Sequence, residues 1–287
     1  MRRLNIAHVT EYRFSTPVSL LPHHLRLRPL ESHSLRIESS TLDISPVHSI
    51  RWFKDVLGNS VATVSFGDIS NSLRVLSEVV IAVYDDAPLD FLMEEYAVYC
   101  PFAYAMDEQP DLAPFLQSVY PDDQALLHEW LAGLGLLRWP IETFSLLTRL
   151  NCAIANRFTY QIREEEGVQS PAQTLRLNSG SCRDFAALFI EACRTIGLAS
   201  RFVSGYLHMP DNEAGNASTH AWAEVYLPGP GWKGFDPTSG LITGNQHIPV
   251  AVARHPETVP PVSGSFIGPA GLLPALMVSV RVSDPGL

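Results

Sequence analysis

Three residues of this 287-residue chain have the types and order of a nucleophile, its base and an orienting acid: Cys182, His220 and Asp236. A thiol attacks as its thiolate, so it needs surroundings that favour the anion. Cys182 follows the turn Asn178-Ser179-Gly180-Ser181 and opens a helical pattern in which Phe185, Leu188, Phe189, Ala192 and Ile196 share one stripe. Ser181 with Asp184 three residues on is a capping-box pattern, which makes Cys182 the first helical residue. Unpaired N–H groups and the positive end of the helix dipole face that position, so the thiol is expected to ionise near neutral pH. The alternative is a buried structural cysteine. Cys193, eleven residues on along the same face, has no helix start and is read in that way.

A nucleophilic thiol needs a base, and the base needs an orienting group. His220 lies 38 residues after Cys182, and Asp236 lies 16 after His220. His220 opens a strand pattern over 219–227 that carries His220, Trp222, Glu224 and Tyr226 on one face. Pro228-Gly229-Pro230-Gly231 turns the chain, and Trp232 to Pro237 returns. That turn sets Asp236 opposite residues 221–223, within three positions of His220. Imidazole and carboxylate then meet on adjacent strand ends. The backbone N–H of Cys182 is the first donor for an oxyanion. Gln169 and Tyr160, upstream of the cysteine, are polar candidates for substrate contact or a second donor, and Trp222 is a candidate to line the cleft or to pack the core.

The elements that must hold these residues follow from patterning. Residues 1–85 read as all-β and sandwich-like, with Ile6, His8, Thr10, Tyr12 and Phe14 on one face, a second alternation over 24–28, a hairpin around Leu57-Gly58-Asn59-Ser60 and a buried run over 79–84. Residues 86–121 carry five prolines and read as a connector with short helical turns. Residues 122–287 hold a helix capped by Asp122-Asp123, a second helix over about 141–157, the Cys182 helix and antiparallel strands, then a strand-like tail over 275–282. No repeating strand–helix–strand pattern occurs, so the second unit is α+β.

Composition narrows the function further. Formal net charge is −10 and no basic cluster stands out, which argues against nucleic acid and anionic membrane surfaces as partners. No apolar run has the roughly 18 residues of a membrane span. Met1-Arg2-Arg3 begins like a secretory signal, but no apolar stretch follows, so the expected location is cytoplasmic. The four cysteines form no Cys-x-x-Cys pair and read as free thiols. Gly229-Pro230-Gly231-Trp232-Lys233-Gly234 matches the dinucleotide fingerprint but opens no helix. Neither Gly-x-Ser-x-Gly nor His-Glu-x-x-His occurs. Three ligands without a second cysteine make a zinc site at Cys182, His220 and Asp236 the lesser reading. Neither a metal nor an organic cofactor is expected.

Gly180-Ser181-Cys182-Arg183-Asp184-Phe185-Ala186, Thr219-His220-Ala221-Trp222-Ala223-Glu224-Val225-Tyr226 and Gly234-Phe235-Asp236-Pro237-Thr238 resemble the three motifs of the transglutaminase-like superfamily. Arg201 to Leu207 and Val259 to Gly264 resemble segments of bacterial members that carry an all-β N-terminal region. The resemblance covers most of the chain. It implies a papain-like catalytic core with Cys182 as nucleophile, His220 as base and then acid, and Asp236 holding the imidazole tautomer. The expected activity is a cysteine hydrolase acting on a peptide or amide through a thioester. The alternatives are an amine acyltransferase on the same site, or a non-catalytic scaffold that binds a peptide or protein.

Overall fold

The computed structural model describes every residue except 85–88, 164, 209–215 and 285–287. The polar loop expected at 209–217 lies mostly outside that set. The N-terminal strands are long, and their sequence alternation is realised: Leu4, Ile6, His8, Thr10 and Phe14 are all buried along Arg2–Leu20. This strand pairs antiparallel with Ile69–Val83, which pairs in turn with Leu35–Ser45. A smaller sheet of Val262–Ser263, His23–Leu25, Ser60–Phe66 and His48–Lys54 packs on it. Phe14, Val18, Leu25, Ile44, Val64 and Val75 fill the space between the two layers, so the sandwich-like expectation holds. The alternation expected over 24–28 forms a strand only at His23–Leu25, where His23 is buried and its neighbour His24 is exposed.

The C-terminal tail corrects the sequence division. Ala275–Ser283 does not stay with the second unit. It pairs with Arg2–Leu20 from Asn5 opposite Ser283 to Arg13 opposite Ala275. At its far edge it meets Asn216 and Ala217, and so joins the N-terminal strands to Asn216–Leu227 in one sheet. The physical reason is edge closure: without the tail, Arg2–Leu20 would present a long row of unpaired backbone groups. A second tie is Asn59, fully buried, whose side chain donates to the Val252 carbonyl and accepts from the Val252 N–H, both at 2.8 Å.

The rest of the sheet carries the site. Asn216–Leu227 lies between Ser200–Leu207 and Gly231–Asp236, and Ser200–Leu207 pairs on its other edge with His247–Ala253. The two faces of Asn216–Leu227 differ. Ala221, Ala223, Val225 and Leu227 meet the helix Cys182–Thr195 in the main core, while Trp222 turns the other way, against Val203 and Val252. Small alanines at the crossing, Ala186 and Ala192 on the helix with Ala221 and Ala223 on the strand, let the backbones approach. The far end of the helix is tied down by Arg194, which is buried with Glu191 and donates to the carbonyls of Phe115, Ser200 and Arg254. The helix expected over 141–157 runs Thr143–Arg157, with the Glu142 carboxylate accepting from the N–H groups of Phe144 and Ser145. Asp123 takes the N-cap position of the helix Gln124–Gly133, as expected, but its side chain makes no cap bond there: Pro121–Asp123 form a 3-10 turn, and the Asp123 carboxylate accepts from the Ala172 N–H at the start of Pro171–Leu177.

Gly205 is a close-approach position beneath the site. A Cβ there would lie 2.2 Å from the Ile248 carbonyl oxygen and 2.6 Å from the Trp222 ring. The obstacle on one side is backbone, so relief requires the strands to part. Gly205→Ala is therefore expected to lower stability by about 1–3 kcal/mol in urea unfolding, with a change in Trp222 fluorescence.

Candidate active site

The Cys182 helix begins as its sequence dictates. Cys182 is its first residue and Ser181 its cap, in a reciprocal capping box with Asp184. The cap is part of a larger polar cluster. Asp184 is fully buried and its Oδ2 accepts from both the Ser181 N–H and hydroxyl at 2.8 Å. Arg163 Nη1 donates to both of its oxygens, at 2.8 and 2.9 Å, and the Gln169 N–H donates to Oδ1 at 2.8 Å. One carboxylate thus fixes the helix start and holds Arg163 and the Gln169 N–H beside it. Arg183 donates to the carbonyls of Arg163 and Glu165.

Cys182 is half-buried and unpaired. Its thiol lies near enough to His220 to help raise the proton affinity of the imidazole. The opposite side of the imidazole uses Nε2 to reach Asp236 Oδ2 at 3.0 Å, which leaves Nδ1 for the thiol. The strand register explains the meeting. Ala223 faces Phe235, so Asp236 falls opposite Trp222, two residues from His220 and on the same face. The structure therefore brings together all three residues that the sequence singled out.

Asp236 is held from several sides. Besides His220, its Oδ2 accepts from the Ser239 hydroxyl at 2.9 Å and from His247 Nε2 at 3.3 Å, and its Oδ1 accepts from the Thr238 N–H at 2.9 Å. Burial opposes its charge, but the hydrogen bonds from the two histidines and their positive potential outweigh that and hold the carboxyl well below the usual carboxylate range. Burial likewise opposes charge on His220, but the hydrogen bonds and negative charge of Asp236 and Cys182 outweigh it and raise the imidazole to about 9. Cys193, read from the sequence as a core residue, is fully buried, and burial pushes its thiol up.

The remaining candidates divide. Tyr160 lies on a short strand parallel to Ser179–Gly180, opposite Gly180 and close enough to Cys182 and Asp236 to feel their charge, with its ring half-exposed. Gln169 reaches the Cys182 helix only through its backbone N–H on Asp184, since its side-chain carbonyl accepts from the Thr174 hydroxyl at 3.0 Å, which ties it to the helix Pro171–Leu177. Trp222 is buried, stands 6.3 Å from His220 between ring centroids, and forms part of the wall of a cavity of about 490 Å³ behind the strand. Sequence reasoning passed over Arg163 and His247. Neither falls in a pattern with Cys182, and only the folded chain places them on Asp184 and Asp236.

His220, Asp236 and His247 also present three metal-ligating atoms within 4.8 Å of one another. Both imidazoles sit at hydrogen-bond distance from the carboxylate, so a cation would have to displace these hydrogen bonds to bind. No helix among the described residues is long and apolar enough to cross a membrane.

An all-β region followed by a core that joins a helix-start cysteine to a histidine and an aspartate on neighbouring strands defines the transglutaminase-like class. The chain belongs to the bacterial transglutaminase-like proteins. Residues 4–82 match the bacterial transglutaminase-like N-terminal region, and residues 139–237 match the transglutaminase-like superfamily. Uncharacterized protein Rv2569c of Mycobacterium tuberculosis is 29% identical over 280 residues, covering 91% of this chain and 87% of the relative. Uncharacterized protein YebA of Bacillus subtilis is 32% identical over 105 residues, which is 30% of this chain and 14% of that one. Among solved structures, a putative cysteine protease from Cytophaga hutchinsonii shares the fold, with a TM-score of 0.77 at 19% identity over 99% of this chain and 91% of that one.

The raised imidazole has a consequence for folding. A proton held more tightly in the folded state stabilises it fully below the unfolded value of 6.5, and that stabilisation is lost as pH rises through about 9. Urea unfolding of the wild type is therefore expected to lose roughly 3 kcal/mol between about pH 6 and pH 10 that His220→Gln does not lose.

Proposed function

We propose that this protein is a cysteine hydrolase that cleaves a peptide or amide bond through a thioester. One observation carries the reading: a thiol at a helix N-terminus lies beside a histidine whose Nε2 is hydrogen-bonded to a buried carboxylate. The helix end and the imidazolium both favour negative charge on Cys182 sulfur. That sulfur attacks the substrate carbonyl carbon, and the oxygen takes up the displaced electron pair. The Cys182 N–H, left without an intrahelical partner, is the first donor to that oxyanion. When the carbonyl re-forms, the carbon–nitrogen bond breaks and the amine leaves with the proton from His220. His220 then takes a proton from water as its oxygen attacks the thioester. The acid departs and the thiol is restored. Asp236 keeps the imidazole aimed and stabilises its charged form throughout.

Tyr160, half-exposed beside the thiol, supports an approach to Cys182 from that side by an extended peptide or a protein segment. The four unpaired cysteines support a reducing compartment, the cytoplasm.

Cys182→Ala should abolish hydrolysis of peptide amides while the melting temperature stays within about 2 °C of wild type, because the side chain is half-buried and carries little of the core. Iodoacetamide should label wild-type Cys182 rapidly at about pH 6, with Cys193 unlabelled as the internal control and the rapid phase lost in His220→Ala. Labelling only near the ordinary thiol value of about 8.5 would sink the hydrolase reading in favour of a binding scaffold. Mass analysis of the product with an added primary amine shows whether water or the amine resolves the thioester.

A further inference from the structure

His247 is the second imidazole on Asp236, and no step of the proposed hydrolysis uses it. It lies at the start of His247–Ala253, eleven residues beyond Asp236 and separated from it by the turn and the short strand Leu241–Ile242. Its side chain is 8% exposed. Its protonation pattern is set by its partners. The Gly244 N–H donates to Nδ1 at 3.4 Å, so Nδ1 is an acceptor and Nε2 carries a proton. That Nε2 faces Asp236 Oδ2 at 3.3 Å. The Trp222 ring stands edge-on to the His247 ring at 5.2 Å and restricts where the imidazole can go.

We infer that His247 is a positioning residue for the triad: through its Nε2–H it donates to Asp236 Oδ2, fixes the carboxylate for His220 and draws off part of its negative charge. The inference rests on the hydrolase reading above. Three donors converge on Oδ2, from His220 at 3.0 Å, Ser239 at 2.9 Å and His247 at 3.3 Å. A carboxylate oxygen has two in-plane lone pairs, so three donors share what two would hold fully. Each donor therefore weakens the grip of the others. With His247 in place, Asp236 is anchored yet holds the His220 proton less tightly than it otherwise would. The device limits how strongly the imidazolium binds the thiolate, and a thiolate bound less strongly is the better nucleophile.

The charged groups around His247 are the triad members on one side and a polar cavity on the other. His220 on Asn216–Leu227 lies 6.1 Å away between ring centroids, with Asp236 on Gly231–Asp236 beyond the shared bond. Across the cavity are Arg201 on Ser200–Leu207, Glu224, Lys233, and Glu31 and His33 from the N-terminal segment. Arg201 and Glu224 are paired at 2.7 Å. None of these groups changes when His247 is replaced, so their fields are common to wild type and variants.

The test uses the full chain with three side chains at position 247. His247→Phe keeps a ring and removes the donor. His247→Gln keeps an N–H donor of similar reach. His247→Met is a second donor-free side chain, used where the phenyl ring fails to pack. Two properties are read: the His220 titration, by histidine ring NMR with His220→Gln for assignment, and the rate of Cys182 alkylation at pH 7. The donor-free variants are expected to titrate His220 about half a pH unit or more above wild type and to alkylate roughly twofold more slowly. His247→Gln is expected to restore both. A purely structural role would lower stability without moving the titration. An unmoved titration in the donor-free variants, with the wild type titrating near 9, overturns the role of His247 alone. A wild-type imidazole that titrates at its ordinary value overturns the hydrolase reading and this role with it.

Discussion

Asp236 is a carboxylate almost wholly out of water, and a buried anion is tolerated only where donors surround it. That requirement organises the site. Two histidines, a serine hydroxyl and a backbone N–H from Thr238 answer it. To bring them together the chain must run Asn216–Leu227 beside Gly231–Asp236, turn at residues 237–240, and return through His247–Ala253 to the far edge of Ser200–Leu207. The imidazole charge, the thiol contact and the orientation of His220 all depend on that carboxylate staying ionised.

A second buried carboxylate does the corresponding work on the cysteine side. Asp184 caps the helix that presents Cys182 and at the same time holds Arg163 and the Gln169 N–H. One anion therefore sets the nucleophile, and the other sets its base. Both are satisfied by hydrogen bonds as well as charge, which is what makes a buried ion worth its desolvation. The arrangement is rigid where the chemistry needs aim. The thiol is half-buried and the Tyr160 ring half-exposed.

The all-β region is bound into the same framework. Ala275–Ser283 lines the edge of Arg2–Leu20 and touches Asn216 and Ala217, at the end of the strand that carries His220. Asn59 docks on Val252, in the strand that begins with His247. The N-terminal region also supplies Glu31 to Leu35 to the cavity behind Trp222. The strands that hold both histidines are thus buttressed by residues from both ends of the chain.

Much of this was legible in the sequence, because it rests on interactions a few residues apart. The capping box at Ser181 and Asp184, the stripe of Phe185, Leu188 and Phe189, and the turn at 228–231 are local patterns. They fix the helix start and the hairpin register without tertiary help, and so place His220 near Asp236. What the sequence could not specify were contacts between distant segments. Arg163 on Asp184, His247 on Asp236, the Ala172 N–H on Asp123 and the tail strand on Arg2–Leu20 have no periodicity linking the partners. Each was decided by which polar group or open sheet edge needed a partner once the core had closed. Local hydrogen-bond geometry can be read along a chain, but the satisfaction of buried polar groups is a property of the folded whole.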